Sequence, residues 1–223
     1  MHLHKLHFIV VAAGKGKRFS SEIPKQFLKI HDKTLAWYTL NNLHNAAPTA
    51  KLTLVIAPEH TNQWKEVLST LSFQPHAIIH GGAERFDSVR NGISAASENE
   101  IVAIHDIARP LIRSRLIQEG YQLANERGIA IPILPIHDAL IYKTNKHISY
   151  VDRTAYFRIQ TPQFFKGDII QKIFTQIKEN TYPDEASAAL ACGYELHFFE
   201  GDPFNIKLTY PSDIEFIRSF LKE

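Results

Sequence analysis

The stretch Val11-Ala12-Ala13-Gly14-Lys15-Gly16-Lys17-Arg18, followed by Pro24-Lys25-Gln26, sets bare backbone amides among fixed cations. Glycine lets the backbone come close to an anion, and successive N–H groups form a concave nest around it. Gly14 and Gly16 supply that freedom, while Lys15, Lys17, Arg18 and Lys25 supply charge that a polyphosphate would neutralise. Two familiar phosphate loops fail on these residues. A P-loop needs G-x-x-x-x-G-K followed by Ser or Thr, which occurs nowhere in the chain. The dinucleotide fingerprint G-x-G-x-x-G meets Phe19 at its third glycine. Taken alone, the loop reads either as a phosphate cradle or as a plain strand-to-helix turn. Pro24 stiffens the approach to Lys25, with apolar Phe27 and Leu28 directly after, and this favours the cradle.

Further groups that could serve an anion lie far apart in the chain. Asp106 follows an apolar run, so its carboxylate either partners a helix N-terminus or works at a ligand edge; Arg109-Pro110 beside it favours the second. Asp152-Arg153 is either an exposed ion pair, worth about 0–1 kcal/mol, or a guanidinium placed to grip a phosphate bidentately. Gly81-Gly82 with Ser88 is either a turn entering a helix or a second ligand loop. Asp184-Glu185 most simply favour a helix N-terminus through its dipole.

The elements that would position these groups follow from hydrophobic pattern. Apolar, β-rich runs recur at 6–12, 52–57, 77–80, 101–105 and 128–134. Amphipathic stretches at 34–45, 61–71, 86–96 and 114–127 lie between them, with Thr34 and Ser114 as N-caps. Alternating strand and helix predicts an α/β fold with right-handed crossovers and a mainly parallel sheet. In such sheets ligands sit beyond the carboxyl ends of the strands, where the glycine loop, Gly81-Gly82 and Asp106 all fall. The pattern breaks after Pro135. Segments 138–143 and 147–152 flank the polar turn Thr144-Asn145-Lys146 and predict a hairpin. An isolated hairpin is marginal in water, so Leu140, Tyr142, Ile148 and Tyr150 need a partner surface, which predicts a dimerisation arm over 137–157. Beyond it the pattern predicts a return segment at 158–165, helices at 167–178 and 184–191, a strand at 195–200 and a last helix after Pro211.

Whole-chain properties bound the function. A length of 223 residues with 44% hydrophobic residues suits one α/β domain over 1–223. Lys plus Arg number 25 against 23 Asp plus Glu, and the resulting charge of +2 predicts no broad nucleic-acid footprint. Any anion site is therefore local. Cys192 is the lone cysteine, which excludes an intramolecular disulfide. No window reaches the roughly 20 apolar residues of a membrane span and the N-terminus lacks a leader pattern, so a cytoplasmic protein without membrane partners is expected.

Eight motifs in order carry a more specific likeness: Ala12-Ala13-Gly14 with Gly16 and Arg18; Pro24-Lys25-Gln26-Phe27; Gly81-Gly82-Ala83-Glu84-Arg85-Phe86-Asp87-Ser88-Val89; His105-Asp106-Ile107-Ala108-Arg109-Pro110; Val151-Asp152-Arg153; Gln160-Thr161-Pro162-Gln163; Asp184-Glu185-Ala186; and Asn205-Ile206-Lys207. Together they resemble the methylerythritol-phosphate cytidylyltransferase family. The resemblance implies a three-layer, Rossmann-like nucleotidyltransferase fold with helices on both sheet faces, and transfer of CMP from CTP to methylerythritol phosphate in non-mevalonate isoprenoid biosynthesis. It further implies that residues 12–16 cradle the triphosphate, that Arg18 and Lys25 clamp it, and that Lys207 approaches the far side of the α-phosphate. Gly82, Ala83 and Ser88 would then read cytosine and ribose, position 83 acting through its backbone because its side chain is not acidic here. Asp106 and Arg109 would contact sugar and acceptor. Arg153 and Thr161 would bind the acceptor phosphate in the partner subunit's site of a homodimer. Mg²⁺ would bridge triphosphate oxygens, direct ligation by Asp106 being open. Pro183 stands where that family often has threonine before the Asp-Glu pair. Phe204 resembles instead a related group that makes CDP-ribitol from a pentitol phosphate. A non-catalytic CTP-binding module is the alternative of another class.

Overall fold

Strand β1 (Leu6–Ala12) is buried along its whole length and lies at the middle of the main sheet. The computed structural model describes residues 3–14, 23–177 and 182–221. The elements after β1 are a small ribbon, β2 (Lys29–Ile30) with β3 (Lys33–Thr34), then α1 (Leu35–Ala46), β4 (Lys51–Ile56), α2 (Thr61–Ser69), β5 (Ala77–His80), α3 (Arg85–Ile93), β6 (Ile101–Asp106), α4 (Ser114–Arg127) and β7 (Ile129–Pro135). The hairpin β8 (Leu140–Lys143) and β9 (Ile148–Val151) follows. The chain closes with β10 (Phe157–Ile159), β11 (Gln163–Lys166), α5 (Gly167–Gln176), α6 (Glu185–Ala191), β12 (His197–Glu200) and α7 (Asp213–Phe220).

The sheet order is β10-β7-β11-β6-β1-β4-β5, with β12 also on β7. Pairings among β6, β1, β4 and β5 are parallel, while β10 and β11 run antiparallel to their neighbours. Side chains of β1 alternate between two cores, as a pleated strand covered on both faces must. Leu6, Phe8 and Val10 join α1, α2 and α4 on one face; Ile9 and Val11 join α3, α5 and α6 on the other. Each such fully buried side chain contributes roughly 1.5–3 kcal/mol. Gly92 lets α3 press on the sheet, because a Cβ there would meet Ile9 and Val55 methyls at 2.5 and 2.8 Å. A third cluster, including Ile30, Leu35, Leu208 and Ile217, packs α7 and the chain before it against α1.

Several boundaries differ from the sequence expectation for identifiable reasons. Thr34 caps α1, its hydroxyl accepting from the Trp37 amide at 3.2 Å, but Ser114 is the first helical residue of α4 and Arg113 stands at the cap without a side-chain bond. The return segment divides into β10 and β11 around a cis Thr161-Pro162 bond. The hairpin forms its own two-stranded sheet, with Ile141 opposite Tyr150 and Leu140 opposite Val151. Residues two apart share a face, so Leu140 and Tyr142 lie on one side and Ile148 and Tyr150 on the other. The four apolar side chains are therefore divided between the two faces; Ile141, Ile148 and Tyr150 share a face and are all more than half exposed. Among the described residues, no helix is long and apolar enough to cross a membrane.

Candidate active site

Four strands deliver loops to one edge of the sheet, and backbone bonds stitch those loops together. The Ile107 amide donates to Val11 O at 3.2 Å, and the Leu208 amide to Ala108 O at 2.8 Å. Gln26, buried in the short turn after Pro24, donates through Nε2 to Ala12 O at 3.3 Å. Gly81 closes the group from β5: a Cβ there would lie 2.5 Å from Ala13 Cβ and 2.6 Å from Ser88 Oγ. Only hydrogen fits between the first loop and the start of α3.

Cations from distant parts of the chain converge on this edge. Lys25 Nζ donates to Leu208 O at 3.2 Å, next to Lys207 in sequence. Lys207 Nζ donates to Asp106 Oδ2 at 2.7 Å, and Arg85 Nε to Asp106 Oδ1 at 3.2 Å. Arg85 also forks onto Glu185, with Nη1 at 2.6 Å from Oε1 and Nη2 at 3.1 Å from Oε2. Arg109 Nη1 donates to Asn205 O at 2.7 Å, while its Nε is buried with no hydrogen-bond partner. Among the described residues, Arg85 and Lys207 bond the carboxylates Asp106 and Glu185 while Lys25 and Arg109 donate to carbonyls, and this concentration of positive charge suits a polyanion.

That charge sets the protonation states. Burial pushes the Asp106 carboxyl upward, but Arg85, Lys207 and Arg109 outweigh it and hold the group well below the usual carboxylate range. Burial works against the charge of Arg85 too, and Glu185 with Asp106 more than restores it. His105 is fully buried. Its Nδ1 accepts from the Thr161 hydroxyl at 3.3 Å, which leaves the proton on Nε2 to donate to Arg109 O at 3.1 Å. Burial is the main reason its pKa falls to about 4.

A group whose folded pKa lies below its unfolded value of about 6.5 stabilises the fold above that value and loses the contribution as pH falls toward 4. His105 therefore makes stability decline by about 2–3 kcal/mol between pH 7 and 4.5. His7, also lowered by burial, acts in the same direction. In urea titrations at the two pH values, His105→Gln should shrink the difference by about that amount. An unchanged difference would assign the acid limb elsewhere.

Of the expected site residues, the structure brings together Ala12, Ala13, Gly14, Lys25, Asp106, Arg109, Thr161 and Lys207, with Gly82 and Ala83 exposed on the adjoining loop. Gly16 and Arg18 lie outside the described residues. Two placements depart from expectation. Ser88 is 1% exposed; its hydroxyl donates to Glu84 O and accepts from the Gly82 amide, both at 3.1 Å. It braces the loop that was expected to present it to a base. Thr161 lies beyond the arm, on the segment between β10 and β11. Its hydroxyl is buried beside Asp106, accepting from the Asp106 amide at 3.2 Å. Arg153 stands apart, donating to His137 O across the base of the hairpin.

Arg85, His105, Gln160 and Asn205 were given no role from sequence, and Glu185 only that of a helix-dipole partner. Gln160 and Asn205 pin the segment carrying Lys207: Gln160 Nε2 donates to Asp202 O at 2.8 Å, and Asn205 Nδ2 to Thr161 O at 2.8 Å. The available signal was polar residue type inside otherwise apolar surroundings, as at His105 after Ile101-Val102-Ala103-Ile104.

The donor set does not fit a protein-held magnesium ion. Among the described residues no three His, Cys, Asp or Glu side chains cluster to hold a metal, and cations already occupy both Asp106 oxygens.

A mainly parallel sheet whose carboxyl edge gathers the end of β1, the Gly81-Gly82 turn and four cations defines a nucleotidyltransferase-type α/β enzyme. A family model described as 2-C-methyl-D-erythritol 4-phosphate cytidylyltransferase matches residues 6–223, and the chain belongs to that family. The protein of that name from Bacteroides thetaiotaomicron is 32% identical over 212 residues, covering 95% of this chain and 97% of its own. The one from Bacteroides fragilis is 33% identical over 214 residues, covering 96% and 98%. Among solved structures, a 4-diphosphocytidyl-2C-methyl-D-erythritol synthase matches with a TM-score of 0.83 at 27% identity over 98% of each chain. A 2-C-methyl-D-erythritol 4-phosphate cytidylyltransferase from Thermus thermophilus matches with a TM-score of 0.78 at 26% identity, covering 95% and 96%.

Proposed function

We propose that this chain transfers CMP from CTP to methylerythritol phosphate, releasing pyrophosphate, in isoprenoid precursor biosynthesis. The observation that carries the reading is the convergence of Lys25 and Lys207, whose distant segments meet in the bond from Lys25 Nζ to Leu208 O, on an edge that also holds Arg85 and Arg109. In this reaction an acceptor phosphate oxygen attacks the α-phosphorus in line as pyrophosphate departs. A phosphate monoester, with a second pKa of about 6, is already largely dianionic at neutral pH, so the nucleophile needs no general base. The protein's work is to align two polyanions and neutralise the charge that builds on their oxygens. Residues 12–16 cradle the triphosphate, and Arg18 and Lys25 hold it. Lys207 exchanges Asp106 for an α-phosphate oxygen, while Asp106 and the buried, unpartnered Nε of Arg109 mark the acceptor side. Gly82 and Ala83 read the base through main-chain groups. Mg²⁺ brought in with CTP would add charge neutralisation to the triphosphate without needing a ligand from these residues.

The unit acts as one domain over 1–223 in a cytoplasmic homodimer. The arm 137–157 covers its exposed Ile141, Ile148 and Tyr150 against a second copy and carries Arg153 toward that copy's acceptor phosphate. Phe204, the residue that resembles pentitol enzymes, packs within 4.8 Å of the Phe220 ring and under the Arg113 guanidinium at 4.3 Å, which gives it a packing role for α7. Pyrophosphate release with CTP and each acceptor tests the reading. Turnover with methylerythritol phosphate is expected. A preference for ribitol phosphate would reassign the acceptor, and CTP binding without turnover on either would make the chain a binding module.

A further inference from the structure

We infer that Glu185 is a positioning residue for cytidylyl transfer, acting through Arg85 on Asp106 and Lys207; the inference rests on the function proposed above. Glu185 is the first residue of α6 and is wholly buried. The helix does not need it as a cap. Asp184 fills that role, its Oδ1 accepting from the Ser187 amide at 2.9 Å, and the Ser187 hydroxyl completes the capping box. A buried carboxylate costs several kcal/mol unless it is well paired, and an apolar residue of similar size would pack there at no such cost. Among the described residues Glu185 pairs with Arg85, through a two-pronged bond at 2.6 and 3.1 Å.

That fork fixes the plane of the guanidinium, because both terminal nitrogens are held. With one N–H of each Nη held end-on by Glu185, the guanidinium presents its Nε edge to Asp106, and Nε takes Oδ1. Oδ2 stays for Lys207 at 2.7 Å. The four groups alternate in sign from α6 through α3 and the end of β6 to the segment before α7. Without Glu185, the Arg85 fork is free to grip both Asp106 oxygens and displace the Lys207 ammonium from its resting place. Glu185 therefore decides which cation Asp106 orients, although it touches no substrate.

Purified full-length Glu185→Gln, Lys207→Ala and the double variant form a cycle that reads this directly. The cycle is run with whichever phosphate acceptor the wild-type chain turns over, so acceptor identity and the positioning role fail separately. Glu185→Gln should lower kcat by about tenfold or more through misplacement, with KM for CTP changed less than about threefold. In the Lys207→Ala background the same substitution should change kcat by less than about twofold, because the group it positions is gone. A residue that only supports the fold would cost the same factor in both backgrounds; that additivity, or wild-type kcat in Glu185→Gln, overturns the inference. If Glu185→Gln does not fold, Glu185→Asp keeps the buried charge but shortens its reach to Arg85. It should fold and still lower kcat through misplacement; wild-type kcat in that variant likewise overturns the inference.

Discussion

Lys207→Ala is expected to lower kcat by about 100- to 1,000-fold, the scale on which removal of one well-placed oxyanion donor acts in other enzymes. The Lys207 ammonium rests on Asp106 at 2.7 Å, and its side chain is about one-third exposed, so it is held in place yet open to a ligand. Attack on the α-phosphorus shifts negative charge onto oxygens that the ground state leaves less charged. A cation positioned there gains more in the transition state than in the complex with substrate, so the loss should appear in kcat more than in KM. Folding should suffer less. Asp106 keeps Arg85 at 3.2 Å, so no carboxylate is left wholly unpaired. Lys25→Ala should act in the same direction. Steady-state kinetics beside a thermal melt separates the two effects, and near-normal turnover in either variant would remove that lysine from the clamp.

The parts legible in sequence are those where local chemistry and tertiary context agree. β1 reads directly because six of its seven residues are apolar, with Ile9, Val10 and Val11 β-branched, and the fold buries all seven. Asp106 was placed at the ligand edge by its position at a strand's carboxyl end, where parallel sheets bring loops together, whereas the gathering of Lys25 and Lys207 beside it was implied by the family resemblance. Side-chain direction was not legible. Ser88 and Thr161 are small hydroxyl residues suited to a ligand, but each completes a local bond that only the packed loop creates. Glu185 stands at a helix start, where a dipole role is the ordinary reading; its bond to Arg85 spans 100 residues, and no local pattern encodes such a bond. The hairpin turn and strands were clear, whereas its apolar side needed the register, which pairs Ile141 with Tyr150.

Asp106→Asn should cost about 3–5 kcal/mol of stability, the penalty for breaking a buried ion pair from one side. The amide keeps the shape but removes the charge, so Arg85, Lys207 and Arg109 then share Glu185 alone. Acid titration of the wild type gives no access to this state near neutrality. Burial raises the Asp106 pKa and three cations lower it further, so the group stays ionised; its contribution is complete above about pH 4 and is lost only in stronger acid. The substitution thus isolates at pH 7 what protonation would do. It also carries a sign that tests the whole site. A triphosphate bound at this edge restores the missing negative charge, and a ligand that binds only the folded state raises its stability. CTP should therefore raise the melting temperature of Asp106→Asn more than that of the wild type, even as turnover falls. A CTP-induced shift no greater than the wild type's would mean that the triphosphate is not seated against these cations, and the clamp would have to lie elsewhere.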